Sequence, residues 1–472
     1  MNHDETLTST HVSRSEEARP PSVCAVKRDL RRDLYAAAAA ALLVLAAVLV
    51  GRSIEHRHGT LRVDWPPFLA GWGPHVGPGT PAAVAVALAV VSYGPALAAR
   101  LPWRTLLFTA WGTAMAWTWS LALIDGWDRG IARRLTTRYE YLQVIDRFHD
   151  IPHTLRDFTQ HILLNSPDHW PAHIAGHPPA ATLTFVFLDR IGLHGGGWAG
   201  AFVITVGTTA AAAVLIAVRT LADERLARRA APFLVLTPGA VWMGTSADGY
   251  FTAVAAWAVA LLALAATGHH PRRTGLASGL LFGLTAYLSY GLTLFALIAA
   301  AVLFLGFRLT RRRPSLPFLR LLPFLLAGFV VVPAVFTALG FNWWEAYRLL
   351  VTRYYQGAAA VRPYGYWIWA NLACTVCIVG PATAAALPRA GATLLRRSPA
   401  PALRLGVLVG AALLALLAAD ISGMSKAETE RIWLPFAMWL LPCCALLPRP
   451  RAWLAAQAVL ALLVNHLLLT GW

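Results

Sequence analysis

Apolar runs of roughly 17–22 residues recur from Tyr35 to the C-terminus, separated by short polar turns. As helices, runs of that length match the hydrocarbon thickness of a bilayer. They are continuous and rich in Ala and Leu rather than alternating, which predicts membrane helices and argues against a barrel. The runs lie at about 35–51, 81–99, 104–124, 178–192, 198–218, 230–246, 250–267, 275–289, 291–307, 319–340, 366–388, 403–419, 432–447 and 452–470. The expected fold class is therefore all-α: a polytopic transmembrane helical bundle of about 13–14 apolar segments. One interruption stands apart. Residues 125–179 are polar and aromatic, rich in Asp, Glu, Arg and His, and end in His177-Pro178-Pro179 directly before the next apolar run.

Charge sets the expected topology. The chain has 472 residues, 57% hydrophobic and 13% charged, against about 25% charged in soluble domains. Mean hydropathy is +0.55. The net charge of +17 does not point to nucleic acid, because the positives sit in short clusters between spans. These are Lys27, Arg28, Arg31 and Arg32; Arg272 and Arg273; Arg311, Arg312 and Arg313; Arg396 and Arg397; Arg449 and Arg451. Such clusters mark cytoplasmic loops. Residues 1–33 are expected to be a disordered cytoplasmic N-terminus without a cleavable signal, and 34–472 the transmembrane domain. Residues 125–177 then form the main extracytoplasmic loop of a plasma-membrane protein, and any active site is expected there. Counting back from the later basic clusters also places Asp248 outside. Yet three apolar runs separate it from the loop, an odd number. Either one of 178–192, 198–218 and 230–246 does not fully cross, or one loop is misassigned. The glycines between His194 and Trp198 offer a break for a short or re-entrant segment.

Four polar regions are expected on one side: 125–177, 245–250, 341–367 and 420–433. Asp125 and Asp128 follow the third span, and Glu140 lies between Tyr139 and Tyr141. A carboxylate held beside apolar groups at a membrane boundary can act as a general base. Each could equally be an interfacial or salt-bridged acid. His173 and His177 stand at i, i+4, but the following prolines put His177 at the mouth of a helix, where an anion is favoured. Asp248 heads a span, as an N-cap or a functional acid. In 341–367, Tyr354 and Arg362 belong to an aromatic and basic set suited to sugar rings and phosphate, on top of an interfacial belt. Lys426, Glu428, Glu430 and Arg431 open the span at 432–447; they pair with one another, or Lys426 or Arg431 grips a lipid phosphate. Of the five cysteines, Cys374 and Cys377 form a C-x-x-C inside a span, read as apolar packing rather than zinc or redox chemistry.

The order of these features resembles the GT-C superfamily of lipid-linked-sugar glycosyltransferases, of the protein-mannosyltransferase and aminoarabinose-transferase type. There, an acidic pair follows an early span, a long external loop ends in His-Pro-Pro or Lys-Pro-Pro, and a later external Asp heads a span. Asp125/Asp128, His177-Pro178-Pro179 and Asp248 match in turn, and Glu428, Glu430 and Arg431 resemble an acidic-Arg element of actinobacterial members. The likeness covers roughly 104–440; two extra spans precede the loop, and an adjacent Asp-Glu pair is missing. It implies inverting transfer of a sugar from a polyprenyl-phosphate donor to an acceptor hydroxyl on a cell-envelope glycan, glycolipid or protein. Asp125, Asp128 or Glu140 would be the base. His177, Asp248, Tyr354, Arg362, Lys426, Glu430 and Arg431 would bind substrate. No cofactor is required, and a divalent metal is left open. The competing expectations are a multi-pass transporter or lipid flippase, which would place polar groups mid-span, and a non-catalytic scaffold.

Overall fold

The computed structural model describes residues 23–310, 316–396 and 398–471. It is almost wholly helical, and among the described residues nine helices are long and apolar enough to cross a membrane. They are Asp29–His58, Thr80–Arg100, Trp103–Asp125, Gly195–Leu221, Ala247–Ala266, Tyr290–Thr310, Arg320–Ala338, Tyr364–Leu395 and Ala400–Ile421. The all-α polytopic class holds, and the other expected apolar segments fall outside these nine for identifiable reasons. The run at 178–192 forms only the 11-residue helix Ala180–Arg190, about 16 Å long. The run at 230–246 is broken into Glu224–Val235 and Ala240–Met243. The run at 432–447 carries Pro435 and Pro442 and folds as short pieces buried in the bundle. Those at 275–289 and 452–470 make 18-residue helices, Pro271–Leu288 and Pro450–Leu467, diluted by Arg272 and Arg273 in one and by Gln457 and Asn465 in the other.

The shortness of Ala180–Arg190 also resolves the odd crossing count. Ala180–Arg190 is too short to reach across roughly 30 Å of hydrocarbon, so the chain stays on one face from 126 to 194. Gly195–Leu221 then crosses, and the broken 224–246 stretch returns through the protein interior, where its backbone is shielded from lipid. Residues 230–250 are buried throughout. Asp248 thereby returns to the face of the long polar segment.

At the centre lies Ala247–Ala266, buried along nearly its whole length and dominated by alanine, which lets neighbouring helices approach closely. Pro271–Leu288 packs on Leu316–Ala338 through Gly275, Gly279 and Gly283. A Cβ on Gly279 would lie 2.1 Å from the Leu325 carbonyl oxygen, and one on Gly328 2.2 Å from that of Leu276. The strands Ala70–Trp72 and Leu468–Thr470 pair antiparallel and tie the C-terminus to the first interhelical loop.

The expectation of disorder over 1–33 is corrected for its second part. Helix Val23–His58 begins well before the apolar run, and Asp33, 2% exposed, accepts bonds from Arg389 Nε at 2.7 Å and Nη2 at 2.9 Å. Burial against that cation extends the helix through the polar stretch. Residues 1–22, and the basic positions 311–313 and 397, lie outside the described residues.

Candidate functional site

The four polar regions meet on the face that carries residues 126–194. That segment folds into short helical turns around its own core of Tyr141, Phe148, Phe158 and Trp170, with Arg147 stacked on Trp170. Asp150 caps the helix Ile151–Asp157 by accepting from the His153 N–H at 3.0 Å. The amphipathic helix Trp343–Gln356 lies against it, and Gln356 accepts from the Leu164 N–H at 2.8 Å. The 420–431 turn joins through Lys426, whose backbone N–H donates to Tyr354 Oη at 2.8 Å.

Arg431 is the hub. It is 5% exposed and donates from Nη1 to Asp248 Oδ2 at 2.7 Å and from Nη2 to Glu428 Oε2 at 2.7 Å. Nη2 also lies 2.9 Å from His173 Nε2. A guanidinium only donates, so Nε2 accepts and the ring proton sits on Nδ1. That nitrogen faces Glu140 Oε1 at 3.0 Å. The result is a buried chain, Glu140–His173–Arg431–Asp248, with Glu428 as a side branch. Glu140 Oε2 is buried without a hydrogen-bond partner among the described residues.

Local sequence explains the positions. Asp248 sits in the first turn of Ala247–Ala266, where Ser246 caps the helix and its hydroxyl donates to Asp248 Oδ2 at 2.9 Å. Arg431 is carried by the four-residue helix Thr429–Ile432. Ala427 and Glu428 just before it adopt φ of 73° and 63°, left-handed conformations that cost a residue with a Cβ about 1–2 kcal/mol. The turn is held by Asn371, which donates from Nδ2 to Ser425 O at 2.7 Å and to Asp420 Oδ1 at 2.9 Å. Asn371, isolated in the sequence, is thus a clamp on the site. Polar groups held at such a cost cluster at functional sites.

His177 follows the helix Ala172–Gly176 in extended backbone, and its Nδ1 lies 2.7 Å from the His173 carbonyl oxygen. Its ring packs near Tyr141 and Phe251. Burial pushes the imidazole down to about 4, against a partial opposing pull from Asp248. His177 is therefore neutral at pH 7 and brings no cation to a phosphate. Burial acts to raise Glu428, but Arg431 and His173 outweigh it and hold its carboxyl below the usual range. Burial acts to lower Arg431, and Asp248, Glu428 and Glu140 reverse that and raise it. Tyr141 is driven upward by burial and by Glu140.

The other positions named from sequence lie elsewhere. Asp125 joins a separate set: Arg134 Nη2 at 2.7 Å and His75 Nε2 at 2.9 Å. Arg134 in turn donates to Thr470 O at 2.7 Å, locking the C-terminal strand. Asp128 is 62% exposed and pairs with Arg133 at 2.7 Å. Arg362 donates to Leu61 O at 2.8 Å and Lys426 O at 2.7 Å, and Lys426 Nζ donates to Ala359 O at 3.1 Å. Tyr354 is pushed up to about 12 by burial. Glu430 is fully buried, accepts from the Leu69 N–H at 2.9 Å, and is pushed up to about 7 by burial.

Two members of the hub stand in the sequence only as neighbours of other candidates. His173 was visible only as the i−4 neighbour of His177, and Glu428 only as one acid of an acidic-Arg run. Among the described residues no group of three or more His, Cys, Asp or Glu is placed to hold a metal ion.

No protein-family model matches the chain, and no curated protein does. Solved structures do show similarity. The Archaeoglobus fulgidus oligosaccharyltransferase tethered with an acceptor peptide is 14% identical, with a TM-score of 0.43 over 73% of this chain and 49% of that one. ArnT from Cupriavidus metallidurans in the apo state is 16% identical, with a TM-score of 0.41 over 68% and 56%. The archaeal oligosaccharyltransferase AglB from A. fulgidus, in complex with an inhibitory peptide and a dolichol-phosphate, is 13% identical, with a TM-score of 0.41 over 73% and 50%. The chain spans about half the length of these proteins.

Proposed function

We propose that this protein is a membrane glycosyltransferase of the GT-C type, moving a sugar from a polyprenyl-phosphate donor to an acceptor hydroxyl with inversion. One observation carries the reading: acids, a histidine and an arginine from three distant stretches, 140–173, 248 and 428–431, converge in one buried cluster at the helix ends rather than mid-span. Burying that many charges is expensive unless they are used.

Glu140 is the base in this scheme, on the strength of its unpartnered buried Oε2. It takes the proton of the acceptor hydroxyl. The hydroxyl oxygen attacks the anomeric carbon, the bond from that carbon to the phosphate oxygen breaks, and polyprenyl phosphate leaves with the electron pair. His173 holds Glu140, and Arg431 holds His173 while its charge is shared with Asp248 and Glu428. Asp125, Asp128, Arg362 and Lys426 act as supports in this scheme, since each is bound to groups outside the hub. His177, Tyr354 and Glu430 border the site. The acceptor is a hydroxyl of a glycan, glycolipid or protein outside the cytoplasm.

The test uses the purified full chain with synthetic polyprenyl-phosphate sugars and a panel of acceptors. Glu140→Gln is expected to lower transfer by about 10²–10⁴-fold with the thermal midpoint little changed. Retention of wild-type transfer by Glu140→Gln would remove the proposed base.

A further inference from the structure

The face opposite residues 126–194, where Thr80–Arg100 turns into Trp103–Asp125, carries two adjoining cavities. One, of about 480 Å³, is walled by Arg225, Arg228, Arg229, Pro95 and Pro450, with Glu224, the ion-pair partner of Arg228, as its one acid. The other, of about 260 Å³, is almost entirely apolar and includes Tyr93, Leu97, Leu106, Thr109 and Val235. Pro232 is a wall of both, so the basic mouth runs into the apolar trough. Arg449 and Arg451 flank Pro450 on the outer rim.

The arginines divide into two kinds. Arg228 is committed inward: it pairs with Glu224 at 2.7 Å and donates to Ala98 O and Leu101 O at 2.8 Å. Arg229 uses Nη2 to hold Leu447 O at 2.8 Å. Arg225, Arg449 and Arg451 are exposed and make no ion pair among the described residues. Tyr93 and Leu97 on the trough wall are 66% and 46% exposed, so the trough opens where spans meet lipid. Clustered cations at a bilayer boundary attract anionic lipid, and an open apolar trough at membrane depth accepts a hydrocarbon chain.

We infer that this junction is a binding site for an anionic phospholipid, with its phosphate against Arg225, Arg229 and Arg449 and one acyl chain along the Thr80–Arg100/Trp103–Asp125 trough. The site is independent of the proposed transferase reaction and lies at the other end of the spans.

The test is native mass spectrometry of the full-length protein released from micelles holding equal amounts of phosphatidylglycerol and phosphatidylcholine. Wild type is expected to retain phosphatidylglycerol preferentially. Each surface arginine contributes roughly a five-fold preference, so Arg225→Ala with Arg449→Ala should lower it roughly 25-fold. Thr109→Trp, which fills the trough and leaves the arginines in place, should also release the lipid. High salt should weaken the wild-type preference, a reading that needs no variant to fold. Equal retention of the two lipids by wild type would overturn the inference. So would thermal protection by inorganic phosphate equal to that by phosphatidylglycerol, which would mark a bare anion site. Displacement by an equimolar polyprenyl phosphate would overturn the assignment to a phospholipid.

Discussion

Replacing Arg431 by Met should be among the most damaging single changes in this protein, and the damage should be repairable by a second. Arg431 is 5% exposed and Asp248 3% exposed, and the two meet at 2.7 Å. Without the guanidinium, Asp248 keeps, among the described residues, the Ser246 hydroxyl and its own helix N-terminus as hydrogen-bonding support, and Glu428 and His173 lose a partner as well. Breaking a buried pair by removing one member costs about 3–5 kcal/mol, because the remaining charge is stranded. Asp248→Asn removes the charge but keeps an oxygen for Arg431, so it should cost about 1.5–3 kcal/mol, the worth of a charged hydrogen bond. In the double variant no stranded carboxylate remains at 248, and the two losses should overlap by about 1–3 kcal/mol. Equilibrium denaturation of the four proteins in mixed micelles measures that coupling. Additivity within roughly 0.5 kcal/mol would refute the buried pair, and with it the hub on which the proposed function rests.

Glu430 should give the protein a pH-dependent stability opposite to that of a salt-bridged acid. Its carboxyl is about 7 when folded and near 4.3 unfolded, so stability is full below the unfolded value and declines as pH rises through about 7. Unfolding midpoints from pH 4.5 to 8 should show this slope, on the order of 3 kcal/mol in total, and Glu430→Gln should flatten it. His177 acts in the other direction: depressed to about 4 when folded, it contributes stability above about pH 6.5 that is lost as pH falls toward 4. His177→Gln should reduce that acid-side loss in the same measurement. Gly279→Ala, whose Cβ would meet the Leu325 carbonyl, should force Pro271–Leu288 and Leu316–Ala338 apart. A cost of about 1–3 kcal/mol is expected, visible as a lower thermal midpoint.

Membrane helices were legible because their signal is local. Asp29–His58, Thr80–Arg100 and Ala400–Ile421 each carry an apolar run of bilayer length, and composition alone predicts what such a run does. The long polar segment was legible for the same reason. Several expected spans failed where length or proline decided the outcome, as in Ala180–Arg190 and the pieces around Pro435 and Pro442. The shortness of Ala180–Arg190 alone converts the odd crossing count into an even one and returns Asp248 to the polar face.

The site divides along the same line. A position at the edge of an apolar run sufficed to nominate His177, Asp248 and Arg431, and Glu140 stood out as an acid between two tyrosines inside the polar segment. Nothing in one dimension distinguished Glu140 from Asp125, Asp128 or Glu430. The first lies beside His173, the second is locked by Arg134 and His75, the third is exposed with Arg133, and the fourth faces Leu69. Some pairs are local, such as Glu428 with Arg431 and Asp125 with Arg134, but the hub is closed by a contact between residues more than 100 positions apart, Arg431 and Asp248. The chain itself determined the helices, because hydrophobic length acts over a single segment. The partners that join the distant parts of the buried hub were decided by tertiary packing, because such an ion pair is set by distance and burial in three dimensions.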